Sequence, residues 1–281
     1  MAMAACCGPC LLEKQRLACS DEGYLEEVRE IVENRRDCDS PPYLVYLFQQ
    51  AYERRFGKGS PYGGVKKQYN DLVMAMEDAI RGQIEAAPDP LVQALVYARV
   101  GNYIDFGALD HVEEQDFLRL LDSAALSEAD KATVASFLRQ CGAAKQFLLI
   151  SDNCGEIVLD KLFLEQMKKR FPDLQLTVMV RGGEALNDAN MEAALYVGLD
   201  RVAQLVHNGS SIAGTVYGTL PDKARRALDG ADVVLAKGQG NYESLCRQGR
   251  HIFYSFLCKC QLFTERFQVP IFSGVFAEEW E

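Results

Sequence analysis

The stretch Phe147–Phe163, FLLISDNCGEIVLDKLF, runs from apolar residues straight into an acid and an amide, Asp152 and Asn153, and then through Gly155 into a long amphipathic segment. A buried strand that ends in Asp-Asn and turns into a helix gathers a carboxylate, an amide oxygen and helix N-terminal N–H groups at one place. Such a place suits a hard metal ion and a phosphate. The construction recurs downstream in LQLTVMVRGGEALNDA (Leu174–Ala189) and in ADVVLAKGQGNYESL (Ala231–Leu245).

Around these repeats the rhythm is short apolar strand, glycine-bearing turn and helix. Strands are predicted at Phe147–Ile150, Leu176–Val180, Val202–Val206, Val233–Ala236 and Ile252–Phe256, with helices at Glu156–Phe171, Asp188–Tyr196, Asp222–Leu228 and Tyr242–Gln248. That alternation predicts βαβ units and a mostly parallel sheet covered on both faces. A ligand site then belongs beyond the carboxyl ends of the strands, where Asp152, Arg181, His207 and Lys237 stand. Before Gly142 the pattern is helical instead, with amphipathic segments at Glu22–Arg36, Val65–Ala86, Leu91–Val100, Glu113–Asp122 and Glu128–Gln140, punctuated by Pro41-Pro42, Pro88 and Pro90. The expected fold class is α/β: an all-helical domain over residues 1–142, packed on a three-layer Rossmann-like α/β/α domain over residues 143–281.

At 281 residues the chain is long enough for a full core, and 48% hydrophobic with 25% charged residues is the composition of an ordinary soluble protein. The formal net charge of −10 disfavours nonspecific attachment to nucleic acid or to an anionic membrane. No apolar run approaches the ~18 residues of a membrane span, and the N-terminus lacks the basic start of a secretory signal, so the expected location is cytoplasmic. Ten scattered cysteines fit a reducing compartment.

Asp152, Asn153 and Asp188 offer oxygens only, a set that suits magnesium or manganese with positions left for water and substrate. The competing reading is that the two acids merely cap the helices after them. Arg181-Gly182-Gly183 leads into Asn187-Asp188, and glycines there let backbone N–H groups approach a phosphate or carboxylate. Lys237-Gly238-Gln239-Gly240-Asn241 looks like a shortened phosphate loop, without the spacing of a Walker A sequence or the third glycine of a dinucleotide fingerprint. Asn102 and Asp105, in GNYIDFG, stand where a polar pair would reach the site from the helical half, or simply stabilise a turn. Three histidines and the lack of a G-x-S-x-G elbow argue against a His-based zinc site and a Ser-His-Asp hydrolase. Cys7-Gly8-Pro9-Cys10 spells a dithiol motif, but too few residues precede it for the strand such a motif follows. With Cys258 and Cys260 these thiols make either a soft-metal cluster or an inert set.

SDNCGEIVLDKL, RGGEALNDA, AKGQGNYESL and GNYIDFG together resemble the signature segments of the damage-control phosphatase family, most closely its stand-alone, cysteine-bearing branch, over nearly the whole chain. The resemblance implies an active site in the cleft between the two domains. It implies Asp152, Asn153 and Asp188 as metal ligands, with Asp152, Asp188 and Lys237 catalytic and Lys237 facing the phosphate. Asn102, Asp105, Glu156, Arg181, Gly182, Gly183, Asn187, Gly238 and Asn241 are the expected substrate-binding positions. The implied activity is hydrolysis of small phosphorylated metabolites, such as sugar phosphates or damaged cofactor intermediates, with magnesium, manganese, cobalt or nickel. Either water or Asp152 itself would attack, and nothing in the sequence sets the oligomeric state. The rival readings are an S-adenosylmethionine-dependent methyltransferase and a non-catalytic phosphometabolite-binding protein. Neither nucleic acid nor membrane is an expected partner.

Overall fold

The computed structural model describes residues 3–57, 63–103, 119 and 121–280. Asp105 and most of the helix expected over Glu113–Asp122 lie outside the described residues.

Helices come first: α1 (Cys7–Ala18), α2 (Glu22–Glu33), α3 (Pro41–Phe56), α4 (Gly63–Ala75), α5 (Glu77–Ala86), α6 (Pro90–Val100) and α7 (Glu128–Ala143). The prolines open α3 and α6, where a missing N–H costs no helical hydrogen bond. The α/β part follows as β1 (Gln146–Ile150), α8 (Glu156–Arg170), β2 (Gln175–Val180), α9 (Met191–Tyr196), β3 (Gln204–His207), α10 (Asp222–Asp229), β4 (Val233–Lys237), α11 (Gln239–Leu245), β5 (Ile252–Leu257), α12 (Gln261–Phe267) and β6 (Gly274–Glu279). The sheet order is β3-β2-β1-β4-β5-β6, parallel except for β6, which runs antiparallel to β5. This is the doubly wound order, and the direction of winding reverses between β1 and β4.

The sixth strand is absent from the sequence reading. Its outer residues are only half-buried, so it carries little hydrophobic alternation of its own. It is held by its partner strand and by Asp130 of α7, whose Oδ1 accepts the Phe276 N–H at 3.1 Å.

The change from helix to strand comes between Ala143 and Gln146, but the hydrophobic core does not divide there. Val73, Met76, Ile80, Leu95 and Phe137, from α4 to α7, share one core with Phe147, Leu149, Ile157, Phe163 and Val178. Helices α2 and α3 bury a cluster of their own, Tyr24, Val28, Val32, Leu44, Phe48 and Ala51, and the opposite face of the sheet packs another, with Leu148, Ile150, Met179, Val234, Tyr242 and Tyr254. Helix α8 shares its core with α6 and the sheet and is buried nearly all round from Glu156 to Met167, so its charged residues Glu156, Asp160 and Lys161 are buried with it and need partners inside the protein. Among the described residues, no helix is long and apolar enough to cross a membrane.

Candidate active site

Asp152 lies two residues past the end of β1, and Lys237 is the last residue of β4, so the two flank the point where the winding reverses. The loop after β2 brings Asp188 to them. It is fastened by a backbone bridge between Asn153 and Asp188 and by the Ala189 N–H, which donates to the Asp152 carbonyl at 2.7 Å. Neither acid caps a helix. Gly155, at φ +79, precedes α8, and its N–H donates to Asn70 Oδ1 at 2.6 Å; Asn190 caps α9 through the Ala193 N–H. The capping reading is therefore overturned.

The side chains form one buried network. Asp152 Oδ2 accepts from the amides of Asn102 and Asn153, both at 2.9 Å. The same two amides also donate to Glu156 Oε2, both at 3.0 Å. Arg181, only 1% exposed, directs Nε to Asp188 Oδ2 at 2.6 Å and Nη2 to Asp152 Oδ1 at 3.4 Å. Its Nη1 reaches Asn241 Oδ1 at 3.1 Å and Thr215 Oγ1 at 3.3 Å.

Lys237 departs from expectation. Its ammonium donates to Glu156 Oε1 at 2.6 Å, Asp160 Oδ1 at 2.7 Å and the Ala98 carbonyl at 2.9 Å, and it is wholly buried. An ammonium has three protons, and all are engaged. The physical reason is helical spacing: Glu156 and Asp160 are one turn apart on α8, so both face the end of β4. In this arrangement Lys237 faces carboxylates rather than an open cleft. Glu156, expected on the substrate, is likewise buried and engaged through both oxygens.

Other predicted contacts are also turned inward. The Gly182 N–H donates to Asn208 Oδ1 and the Ser210 carbonyl, and the Gly238 N–H to the Ser255 carbonyl, so neither is open to a phosphate. Asn241 accepts from Arg181 and Thr215 and donates to the carbonyls of Ser151 and Lys237, which completes its hydrogen bonding. Asn187 is buried, and its carbonyl accepts the Cys154 N–H at 2.9 Å. Gly183 packs so closely on the Ser211 side chain that a Cβ there would lie 2.4 Å from Oγ. Gly238 has φ +79, and a Cβ on it would come within 2.0 Å of Asp152 Oδ2. That position is glycine because the carboxylate occupies the space a side chain would take.

The electrostatics of the network are unbalanced. Counted as ionised, Asp152, Glu156, Asp160 and Asp188 carry two more negative charges than Arg181 and Lys237 offset, and all six residues are at most 9% exposed. Burial pushes the Asp152 carboxyl well above its ordinary range, and the nearby charges of Asp188 and Glu156 push it further, against the pull of Arg181 and Lys259. Burial also raises Asp160, to about 7, despite Lys237 beside it. Lys237 itself would be lowered by burial, but the charges of Asp160 and Glu156 outweigh that and hold it raised. A divalent cation would offset such a charge, and the donor set present fits one: the Asp152 and Asp188 carboxylates and the Asn153 amide oxygen, left over once its NH₂ is bonded. Among the described residues, no three His, Cys, Asp or Glu side chains converge in the manner of a metal site, and the soft-metal reading of the thiols gains no support.

The raised carboxyls make stability depend on pH. Between the ordinary carboxylate range of ~4 and about 7, the native state holds protons on Asp160 that the unfolded chain has lost. Glu243, raised by burial to about 7, acts in the same direction. Stability of metal-free protein is therefore greatest on the acid side of this window and falls as pH rises through about 7. Urea denaturation from pH 5 to 8 measures this; a midpoint that rises with pH would contradict it.

The sequence pattern of the damage-control phosphatase ARMT1-like domain matches residues 3–273. The chain belongs to the damage-control phosphatase family. A relative from Archaeoglobus fulgidus, named a damage-control phosphatase, is 30% identical over 262 residues, covering 87% of this chain and 88% of the relative. Another of that name, from Pyrococcus horikoshii, is 24% identical over 228 residues, covering 80% of this chain and 76% of its own length. The crystal structure of a DUF89 family protein from Pyrococcus horikoshii superposes with a TM-score of 0.79 at 21% identity, covering 99% of both chains. That likeness extends the shared fold across both halves.

For a member of the damage-control phosphatase family, some participants had no sequence signal. Asn70, which receives the Gly155 N–H, and Thr215, which holds Arg181 and Asn241, come from segments far from the motifs. Asp160 had a signal: an acid one turn after Glu156 in a helix otherwise apolar on the same face.

Proposed function

We propose that this chain is a divalent-metal-dependent phosphomonoester hydrolase acting on small phosphorylated metabolites in the cytoplasm. The observation that carries the reading is the buried cluster of four carboxyls, Asp152, Glu156, Asp160 and Asp188, with the oxygens of Asp152, Asn153 and Asp188 gathered at the reversal point of the sheet. Membership in the damage-control phosphatase family supports a phosphatase activity. Ten free cysteines support a reducing compartment.

Asp152, Asn153 and Asp188 would hold magnesium, manganese, cobalt or nickel. A cation bound there would polarise a phosphoryl oxygen and stabilise the charge that builds on it. Arg181 holds the two aspartates in place by bonding both, and its burial excludes water from their far side. Asn102 and Asn153 fix the rotamer of Asp152 through its Oδ2. Lys237 acts through Glu156 rather than on the phosphate. Gly182, Gly183, Asn187, Gly238 and Asn241 shape the loops around the substrate, with Asn102 beside them. Either a water or the Asp152 carboxylate attacks phosphorus.

Phosphate release is to be measured over a panel of phosphomonoesters with magnesium, manganese, cobalt or nickel, beside a chelated control. Release with metal and none without it is the expected result. Full turnover in the chelated protein would overturn the metal dependence. Methyl transfer from S-adenosylmethionine, or binding with no release, would favour the rival readings.

A further inference from the structure

Asp160 is not among the residues assigned to the reaction, yet its position is unusual. It is wholly buried, its Oδ1 accepts from Lys237 at 2.7 Å, and its Oδ2 has no hydrogen-bond partner among the described residues. The Ser255 hydroxyl, on the strand position paired with Lys237, is also buried with no partner among the described residues. A carboxylate retained only for packing would be expected to satisfy both oxygens or to give way to an apolar residue. One ammonium held between two buried carboxylates suggests instead a charge kept for what it does to Lys237.

The chain of contacts leads to the cation site. Lys237 bonds Glu156 Oε1, and Glu156 Oε2 receives the NH₂ of Asn102 and of Asn153. Those bonds, with the ones the same NH₂ groups give Asp152 Oδ2, set which way each amide faces. The Asn102 oxygen is turned to the Leu257 N–H at 3.3 Å, and the Asn153 oxygen is turned away from Glu156 and Asp152. An amide rotated by half a turn would present NH₂ to a cation, which it cannot bind.

We propose that Asp160 is a positioning residue: it anchors the Lys237 ammonium against Glu156, and through Glu156 it orients the Asn153 amide oxygen toward a divalent cation. This rests on the metal-dependent reading above. The partner groups around a metal's ligands ordinarily shift affinity or activity by about 10–100-fold when removed, and the same scale is expected here.

The test compares full-length wild type with Asp160→Asn, which keeps the shape and an acceptor for Lys237 but removes the charge, and with Asp160→Ala. Manganese binding is measured by titration calorimetry, folding by circular dichroism, and the amide orientations by crystal structures of wild type and Asp160→Asn. The expected result is a folded Asp160→Asn protein with manganese affinity weakened about 10–100-fold and the amides of Asn102 and Asn153 displaced from Glu156. Most of kcat should return at saturating manganese. An Asp160→Asn protein with wild-type manganese affinity and unmoved amides would overturn the proposal, even if its melting temperature fell. Wild-type protein that binds no manganese would sink the metal-dependent reading itself, and the proposal with it. If Asp160→Ala fails to fold, Asp160→Asn still decides the matter.

Discussion

Asp152→Asn is expected to lose at least about 10³-fold in kcat, exceeding the 10²–10³ typical of removing one preorganised electrostatic partner. The carboxylate is a proposed cation ligand, and its partners Asn102, Asn153 and Arg181 are all arranged for a charged oxygen pair. Stability should change far less. A neutral side chain removes an ionised carboxylate that burial and the charges of Asp188 and Glu156 make unfavourable without a cation, but its NH₂ then faces the N–H donors of Asn102 and Asn153 or of Arg181. Metal-free Asp152→Asn should therefore lie close to wild type at pH 8 in urea denaturation, while binding manganese far more weakly. Wild-type turnover by this variant would remove Asp152 from the reaction. Asp188→Ala offers a contrast: it takes the carboxylate from a guanidinium that is 1% exposed, so activity and stability should fall together.

Lys237→Ala should be among the most destabilising single changes in the chain. It leaves Glu156 and Asp160 wholly buried with no cation between them, and breaking a buried pair in this way costs about 3–5 kcal/mol. Asp160 already sits at about 7 with the ammonium beside it; without it, Asp160 moves further up. A raised carboxyl in the folded state favours folding at low pH, so the deficit should be largest above about pH 7 and shrink as pH falls. The measurement is urea denaturation of wild type and variant at pH 5.5 and pH 8. Catalysis should drop with it, because Glu156 no longer holds the Asn102 and Asn153 amides. A variant as stable as wild type at pH 8 would mean that Nζ does not occupy this buried network.

The segment from Phe147 to Phe163 carried a strand, a turn and a helix in its own residue pattern, and so did the repeats at Leu174–Ala189 and Ala231–Leu245. Each is a local device: apolar residues for the strand, glycine for the turn, amphipathic spacing for the helix. Their alternation was enough to specify a parallel α/β sheet, and the strand ends named Asp152, Asp188 and Lys237 as neighbours. What the sequence could not carry was direction. Lys237 next to two glycines has the same local pattern whether its ammonium meets a phosphate or a pair of acids, and only the packing of α8 against β4 put Glu156 and Asp160 there. Arg181 and Asn241 read equally well as ligand-facing, but the folded loops turn them onto Asp152, Asp188, Thr215 and each other. The edge strand β6 and the core shared between α4–α7 and the sheet were likewise decided by tertiary contact. Propensity and periodicity act over a few residues and are written in the chain; where a buried charge finds its partner depends on segments many tens of residues away, and that exists only once the chain is folded.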